Sequence, residues 1–218
     1  MIAVFLRWER VVAIPKVRSK SEEKRQQIYD AASKLFCDNG FAATSMDLVA
    51  KNAGVSKQTV YSHFGSKDEL FVATITARCE EFLSTSTASP KDSDPYTTLC
   101  QYAEHFLALL LSPEALAIHR ICINESTSYP HVSRLFYKAG PERVIAEVRD
   151  ILAEYKQQNI LAIDDIHTAA TQFLSVIKGE IWMHKEYNIE KPISMDKVTL
   201  YIQNTVRHFL VGYGYHPA

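Results

Sequence analysis

The spacing of apolar residues constrains this chain most strongly, because they recur every three or four positions over most of its length. In the segment 21–39 they fall at Ile28, Ala31, Ala32, Leu35 and Phe36. This period is that of one face of an α-helix. No alternating run longer than a few residues indicates a strand, and no internal repeat is visible. The sequence therefore predicts an all-α fold.

Helix boundary signals divide the chain further. Ser19 and Glu22 have the spacing of a capping box, and Gly40 supplies a stop. Pro95 and Pro113 each follow a capping residue, which places proline at the first helical position. The polar segment 84–94 is predicted to be a loop. The last two helices are predicted at 164–186 and 194–211.

Composition and charge exclude several classes of protein. The 218 residues include 24 Lys and Arg against 25 Asp and Glu, and only four Cys, with no CxxC pair. The excess of basic residues in 1–80 and of acidic residues in 81–218 suits a chain that meets a polyanion at one end. We expect no disulfide framework, no membrane span, no metal and no cofactor. His119 and Cys122 lie three residues apart, but a metal site needs more ligands.

The segment 40–70 carries the sharpest functional signal. Two short helices are predicted there, joined by a turn at Gly54, and Val55 and Val60 fill the core between them. This is the spacing of a helix-turn-helix, whose second helix enters the DNA major groove. That helix begins at Ser56, and its exposed side chains can hydrogen-bond bases or phosphates. They are Lys57, Gln58, Thr59, Tyr61 and His63.

The same segment resembles the TetR family of bacterial transcription regulators. The resemblance covers about residues 21–70 and is carried above all by the run AGVSKQTVYSHFGSKDEL at 53–70. It implies an N-terminal extension (1–18), a helix-turn-helix domain (19–66) and a C-terminal helical domain (67–218). The C-terminal domain would bind an unknown small-molecule effector and form a homodimer through its last two helices. Such a regulator acts in the bacterial cytoplasm, associated with the nucleoid.

The resemblance also assigns roles to residues on the DNA side. Thr44 and Ser45 would bind a phosphate at the start of the second helix. Ser56, Lys57, Gln58 and Thr59 would lie against bases and phosphates of a double-stranded operator, where Gln58 can pair with adenine. Tyr61 and His63 fall where backbone contacts are usual, and Lys67 suits a phosphate. A basic arm is a weaker hypothesis, because such a run is often only a solvated tail; it would comprise Lys16, Arg18, Lys20, Lys24 and Arg25.

Two further sets of candidates lie in the C-terminal domain. An effector pocket is predicted from aromatic and polar residues at helical spacing: Phe106, Leu110, His119, Cys122, Phe136, Phe173 and Ile177. The helix at 164–186 is apolar on more than one face, which predicts a second burial partner. The predicted dimer interface comprises Phe173, Leu174, Ile181, Ile202, Val206 and Phe209.

The leading interpretation is a repressor that a ligand releases from its operator. Two alternatives keep the fold: a constitutive DNA binder whose output is a protein contact, and an activator. An absent or closed pocket would favour the constitutive binder. An enzyme is not predicted, because the chain has no catalytic residues in a recognisable arrangement, such as a phosphate-binding glycine loop, GxSxG or HExxH.

Overall fold

The computed structural model describes residues 19–85 and 94–216. These residues form ten α-helices and no strand, so the all-α prediction is confirmed. The predicted loop at 84–94 falls mostly outside the described residues. The helices are α1 (Lys20–Ala43), α2 (Met46–Ala53), α3 (Lys57–Phe64), α4 (Lys67–Thr85), α5 (Pro95–Leu110), α6 (Pro113–Asn124), α7 (Pro130–Ala139), α8 (Pro141–Gln157), α9 (Ile166–Glu186) and α10 (Met195–Gly212).

The helix starts follow the predicted caps. Ser19 and Glu22 form the capping box of α1, in which Glu22 N–H donates to Ser19 Oγ at 3.2 Å and Ser19 N–H donates to Glu22 Oε2 at 2.7 Å. The carboxylate of Asp94 accepts the N–H groups of Tyr96 and Thr97. These side chains satisfy amide groups that the first turn of a helix leaves without partners.

The N-terminal core is formed by helices α1, α2, α3 and α4 and continues into α6 and α7. Three aromatic rings form its centre: Phe71 meets Phe36 at 5.1 Å and Phe41 at 5.2 Å between centroids, both in edge-to-face geometry. Val132 of α7 and Cys122 of α6 are buried in the same cluster. The helix-turn-helix is therefore packed directly against helices from further along the chain.

The second core lies between α5, α8, α9 and α10. Its largest buried side chains include Tyr102, Tyr155 and Phe173. The Tyr102 hydroxyl donates to Glu147 at 2.9 Å, and the Tyr155 hydroxyl donates to Thr98 at 2.8 Å. Burial raises the pKa of both Tyr102 and Glu147. Each buried hydroxyl thus has the partner that its desolvation requires.

Two glycines interrupt helices. Gly40 has φ 82° and ψ 175° near the end of α1, at the stop predicted from the sequence. Gly179 has φ 47° within α9, and this kink was not predicted. Beside it, the Tyr201 hydroxyl of α10 donates to the carbonyl of Val176, and a Cβ on Gly179 would collide with that hydroxyl. The kink therefore accompanies a close approach between α9 and α10.

The four thiols are free, and each is buried or half-buried, as predicted. Burial raises the pKa of Cys122 to about 12 and that of Cys100 to about 11. Over the ranges 19–85 and 94–216, no single helix has the length and apolarity to cross a membrane. The α5–α6 pair, bent by 66°, meets that criterion only when both helices are taken together.

Candidate nucleic-acid interface and effector cavity

The α2–α3 pair is held by caps and a left-handed turn. Ser45 Oγ accepts the N–H of Leu48 at 3.1 Å, and Ser56 Oγ accepts the N–H of Thr59 at 3.1 Å. Gly54 ends α2 with φ 67°, a conformation that a residue with a Cβ adopts at a cost. Val60, which is fully buried, fixes α3 to the core. The outer face of α3 is thereby left in solvent.

The structure brings most of the predicted DNA-contacting residues to this one surface. Lys57, Gln58 and Tyr61 are exposed, while Thr59 and His63 are half-buried. The Thr59 hydroxyl is already engaged with Ser56 Oγ at 2.8 Å. Ser56 and Thr59 therefore shape the first turn of α3, and the freer side chains of the surface belong to its exposed residues.

An ion pair links α3 to α2 at this surface. Lys57 Nζ lies 2.7 Å from Asp47 Oδ1, and both side chains are more than half exposed. The hydrogen bond to Asp47 raises the pKa of Lys57. Exposed pairs of this kind contribute little to stability. Lys57 can therefore exchange Asp47 for a phosphate or a base edge without disturbing the fold.

Two predicted phosphate contacts are corrected by the structure. Thr44 is fully buried, and its hydroxyl donates inward to the carbonyl of Gly40 at 2.7 Å. Lys67 is half-buried, donates to the carbonyl of Phe41 at 2.9 Å and lies over the Phe41 ring at 4.2 Å. Burial lowers the pKa of Lys67. Both side chains support the Gly40 kink, because each donates a hydrogen bond to a backbone carbonyl there.

The hypothesis of a basic arm is also altered. Lys16 and Arg18 lie outside the described residues. Arg25 is turned toward α3, where its guanidinium lies 4.4 Å from the centroid of the Phe64 ring and donates to the carbonyl of His63 at 3.1 Å. Arg25 therefore supports α3 from behind and does not extend as an arm.

A cavity of about 1010 Å³ lies between the helix-turn-helix scaffold and the C-terminal helices. Four of the predicted pocket residues line it: Phe106, Leu110, His119 and Phe136. The other three were wrong, because Cys122, Phe173 and Ile177 are buried in the cores and do not reach the cavity. Helical spacing predicts the apolar face of each helix, but it does not distinguish residues that line the cavity from residues buried in the hydrophobic core.

The α1 wall of the cavity was missed at the sequence level, and α9 contributes residues other than the two predicted on it. On α1 the lining residues include Tyr29, Ser33 and Cys37, and on α9 they include Lys178 and Trp182. The α1 residues fall beside the apolar stripe that packs on α4, so they gave no signal of a second role. The indole of Trp182 stands edge-on to the His119 ring at 5.0 Å, and His119 Nε2 lies 2.9 Å from Glu186 Oε1.

Glu125, which caps the C-terminus of α6, connects this cavity wall to the helix-turn-helix. Its Oε1 accepts the N–H of Ala42 at 3.2 Å, just after the kink. The same oxygen would lie 2.7 Å from a Cβ on Gly40. Because α6 also carries the lining residues Ile118 and His119, one rigid helix spans from the cavity to the segment that precedes α2.

Five of the six residues predicted for the dimer interface do not face solvent, and the sixth is half-buried. Phe173, Leu174, Ile181, Ile202 and Val206 are buried within their own chain. Phe209 is half-buried, with its ring 5.1 Å from Phe173 and 5.0 Å from Tyr213. The apolar stripe read from the sequence is the inner face of α9 and α10. Their outer faces carry a second, exposed apolar set, which includes Val176, Met183, Leu200 and Val211.

Comparison with known proteins identifies the class. A family described as "Bacterial regulatory proteins, tetR family" matches residues 28–74, and one described as "AefR-like transcriptional repressor, C-terminal domain" matches residues 97–215, more than half of the chain. The chain belongs to the TetR family. TetR-family regulators are DNA-binding transcription factors and not enzymes.

Individual relatives agree with the TetR assignment. The solved structure of the flavonoid-responsive regulator FrrA superimposes with a TM-score of 0.76 at 34% identity, covering 88% of this chain and 97% of that one. The regulator TtgR of Pseudomonas putida is 26% identical over 173 residues, 77% of this chain and 73% of its own length. The activator FasR of Mycolicibacterium smegmatis is 42% identical over 67 residues, 31% of each chain. The first five curated relatives are each matched over 26% to 40% of their length.

Proposed function

We propose that the protein is a homodimeric repressor that a small molecule releases from its operator. The observation that carries the proposal is the cavity of about 1010 Å³ whose walls include both α1 and α9. A molecule bound there contacts the scaffold of the DNA-reading helix and the C-terminal bundle at once. In this proposal the chain comprises an N-terminal extension (1–18), a helix-turn-helix domain (19–66) and a C-terminal helical domain (67–218). The regulator acts in the bacterial cytoplasm, associated with the nucleoid.

The exposed face of α3 serves the DNA-binding half of this function. Gln58 has no hydrogen bond to another described residue and is free to read a base edge in the major groove. Lys57 and Tyr61 lie beside it and supply backbone contacts. Ser45, at the start of α2, offers a hydroxyl to a phosphate near the amide groups of the first turn.

The cavity serves the sensing half. Its volume matches the upper range of sites for drug-sized ligands. The lining from Phe106, Leu110, Phe136 and Trp182 suits an apolar, aromatic molecule. FrrA is named as flavonoid-responsive, which supports a planar aromatic effector for this chain as well.

Helix α6 provides the coupling. A ligand that displaces Ile118 and His119 moves Glu125, whose carboxylate holds Ala42 beside the Gly40 kink. The kink leads directly into α2, so a shift there changes the position of α3. A coupling free energy of about 1–3 kcal/mol, the usual range for allostery, changes operator affinity by roughly 5- to 150-fold.

Dimerisation places two such readers on one duplex. The exposed apolar set on α9 and α10 gives a second copy a surface to bury. In the DNA-bound form the two α3 helices would stand about 34–36 Å apart, one turn of B-DNA. An effector that alters this separation misaligns one half-site.

The test is direct titration. Operator fragments selected from genomic DNA are bound to the purified protein, and fluorescence anisotropy is followed while flavone and hydroxyflavones are added. We expect release of DNA by at least one compound. If no compound alters the DNA affinity, the alternative of a constitutive DNA binder is favoured. A reporter gene whose expression falls when the regulator is deleted would identify an activator.

A further inference from the structure

Lys178 differs from the other charged residues of the cavity. Asp30 accepts a hydrogen bond from Gln26 at 2.8 Å, and Asp38 pairs with Lys34 at 2.7 Å. Glu114 also has a partner. Lys178 is half-buried and has no hydrogen bond or ion pair with any residue that the structure describes; its ammonium lies 6.0 Å from the centre of the Trp182 ring.

The neighbours of Lys178 on α9 do not supply the missing acceptor. Ser175 and Thr171 line the same wall one and two turns earlier, respectively, and both hydroxyls donate to carbonyls of their own helix. Glu186 is near enough to raise the pKa of Lys178, but burial outweighs it and the pKa is lowered. One carboxylate oxygen of Glu186, Oε1, is already bonded to His119.

An ammonium in this position is incompletely compensated. Removing a charge from water costs free energy unless an opposite charge or hydrogen-bond acceptor replaces the water. No described residue supplies a hydrogen bond or ion pair to this ammonium, so an anionic group in the cavity would give it the partner it lacks. A cationic ligand would instead bring a like charge against Lys178.

We infer that the cavity takes an aromatic monoanion, a molecule with one carboxylate or ionised phenol on a planar apolar body, and that Lys178 selects it by pairing with the anionic group. This inference rests on the proposed function and names the chemical class of its effector. The body of the ligand packs against Phe106, Phe136 and Trp182, while the anion reaches the ammonium of Lys178 on α9.

The experiment compares matched ligands by calorimetry on the full-length protein. The probes are 2-naphthoate, its neutral isostere 2-naphthamide, and the aliphatic anion decanoate. The variants are Lys178→Met, Lys178→Arg, and Lys185→Met, the last removing an exposed lysine on the same helix. Thermal unfolding of each variant checks that the fold is retained.

We expect the parent to bind 2-naphthoate at least about tenfold more tightly than 2-naphthamide, because charge-assisted hydrogen bonds are the strong ones. Lys178→Met should abolish this preference without weakening 2-naphthamide. Lys178→Arg should keep the preference, and Lys185→Met should behave as the parent does. Decanoate should bind more weakly than 2-naphthoate, because it cannot stack on the aromatic walls.

Equal affinity of the parent for acid and amide, no binding of either, or an unchanged affinity of Lys178→Met for 2-naphthoate would overturn the inference. Tighter binding of decanoate would overturn its aromatic part. Operator release is measured in parallel. If 2-naphthoate binds in a Lys178-dependent way but does not release the operator, the proposed function is rejected and the inference stands. If flavone releases the operator but 2-naphthoate does not bind, the inference is rejected and the proposed function stands.

Discussion

Gln58 and Lys57 lie in the first turn of α3 with their side chains in solvent, and they differ in the kind of DNA contact that each can make. Gln58 has no partner among the described residues, so it can form two hydrogen bonds to one base. Lys57 carries a positive charge, and its contact with a phosphate does not depend on the base sequence. We therefore expect the sequence specificity of operator binding to depend on Gln58 and its salt dependence on the adjacent Lys57.

Substituting Gln58→Ala should lower operator affinity by roughly 5- to 150-fold, because a bidentate base contact is worth about 1–3 kcal/mol. The melting temperature should stay the same, since the side chain is exposed. Anisotropy with the operator and calorimetric unfolding measure the two quantities. Unchanged affinity would remove Gln58 from the interface, and a fall in melting temperature would indicate a structural role.

Lys67 should behave in the opposite way. Its ammonium binds the carbonyl of Phe41, so Lys67→Met should lower the free energy of unfolding by about 1–3 kcal/mol. The salt dependence of DNA binding should remain as in the parent. Lys57→Met is the matched comparison, and it should reduce the slope of log K against log salt by about one. A reduced slope for Lys67→Met would restore the phosphate role that the sequence resemblance gave it.

These residues also mark how far sequence reasoning reaches. The cap of α1 at Ser19 could be predicted, because capping depends on local spacing. The inward direction of Thr44 and Lys67 could not. It follows from the Gly40 kink, which leaves carbonyls open to side chains from two separate segments.

At the scale of elements, the first helix does more than support the reading helix. Its kink at Gly40 lies beside Glu125 of α6, and its earlier turns line the cavity. Helical period predicts which face of such an element is apolar. It does not predict what covers that face, which is why the stripes on α9 and α10 were assigned to a partner when their own chain buries them.

The kink gives a stability prediction. At φ 82° and ψ 175°, Gly40 occupies a region almost reserved for glycine, and a Cβ there would meet Glu125 Oε1 at 2.7 Å. We expect Gly40→Ala to lower the free energy of unfolding by about 1–3 kcal/mol, measured by urea titration.

Gly212→Ala is the matched control for this effect. A Cβ at Gly212 has no heavy atom within 4 Å, and its φ lies outside the left-handed range. This variant should be as stable as the parent or slightly more so. Equal stability of Gly40→Ala and the parent would show that the kink relaxes without cost.

At the scale of the whole molecule, the exposed apolar residues of α9 and α10 form the proposed dimer surface. Leu200 is 57% exposed and Met183 is 49% exposed. Exposed apolar side chains that cluster on adjacent elements commonly mark a protein interface. The dimer should therefore use the outer faces of the helices whose inner faces form the core.

Leu200→Glu should make the protein monomeric, because it would place a charge in the proposed interface. Operator affinity should fall at least about tenfold, since a monomer engages one half-site without the gain of the second. Size-exclusion chromatography with light scattering gives the mass. Ala146→Glu, on the exposed side of α8, is the control and should remain dimeric. A dimeric Leu200→Glu would place the interface elsewhere.

The double use of α1 has an evolutionary consequence. One flank of this helix bounds the proposed effector cavity, and the neighbouring flank packs on the scaffold of the groove-reading helix. Under the proposed function, we expect substitutions of Tyr29 or Ser33 that change the effector to alter operator binding as well. Substitutions that change effector specificity should accumulate first on α9, because they leave α2 and α3 unchanged.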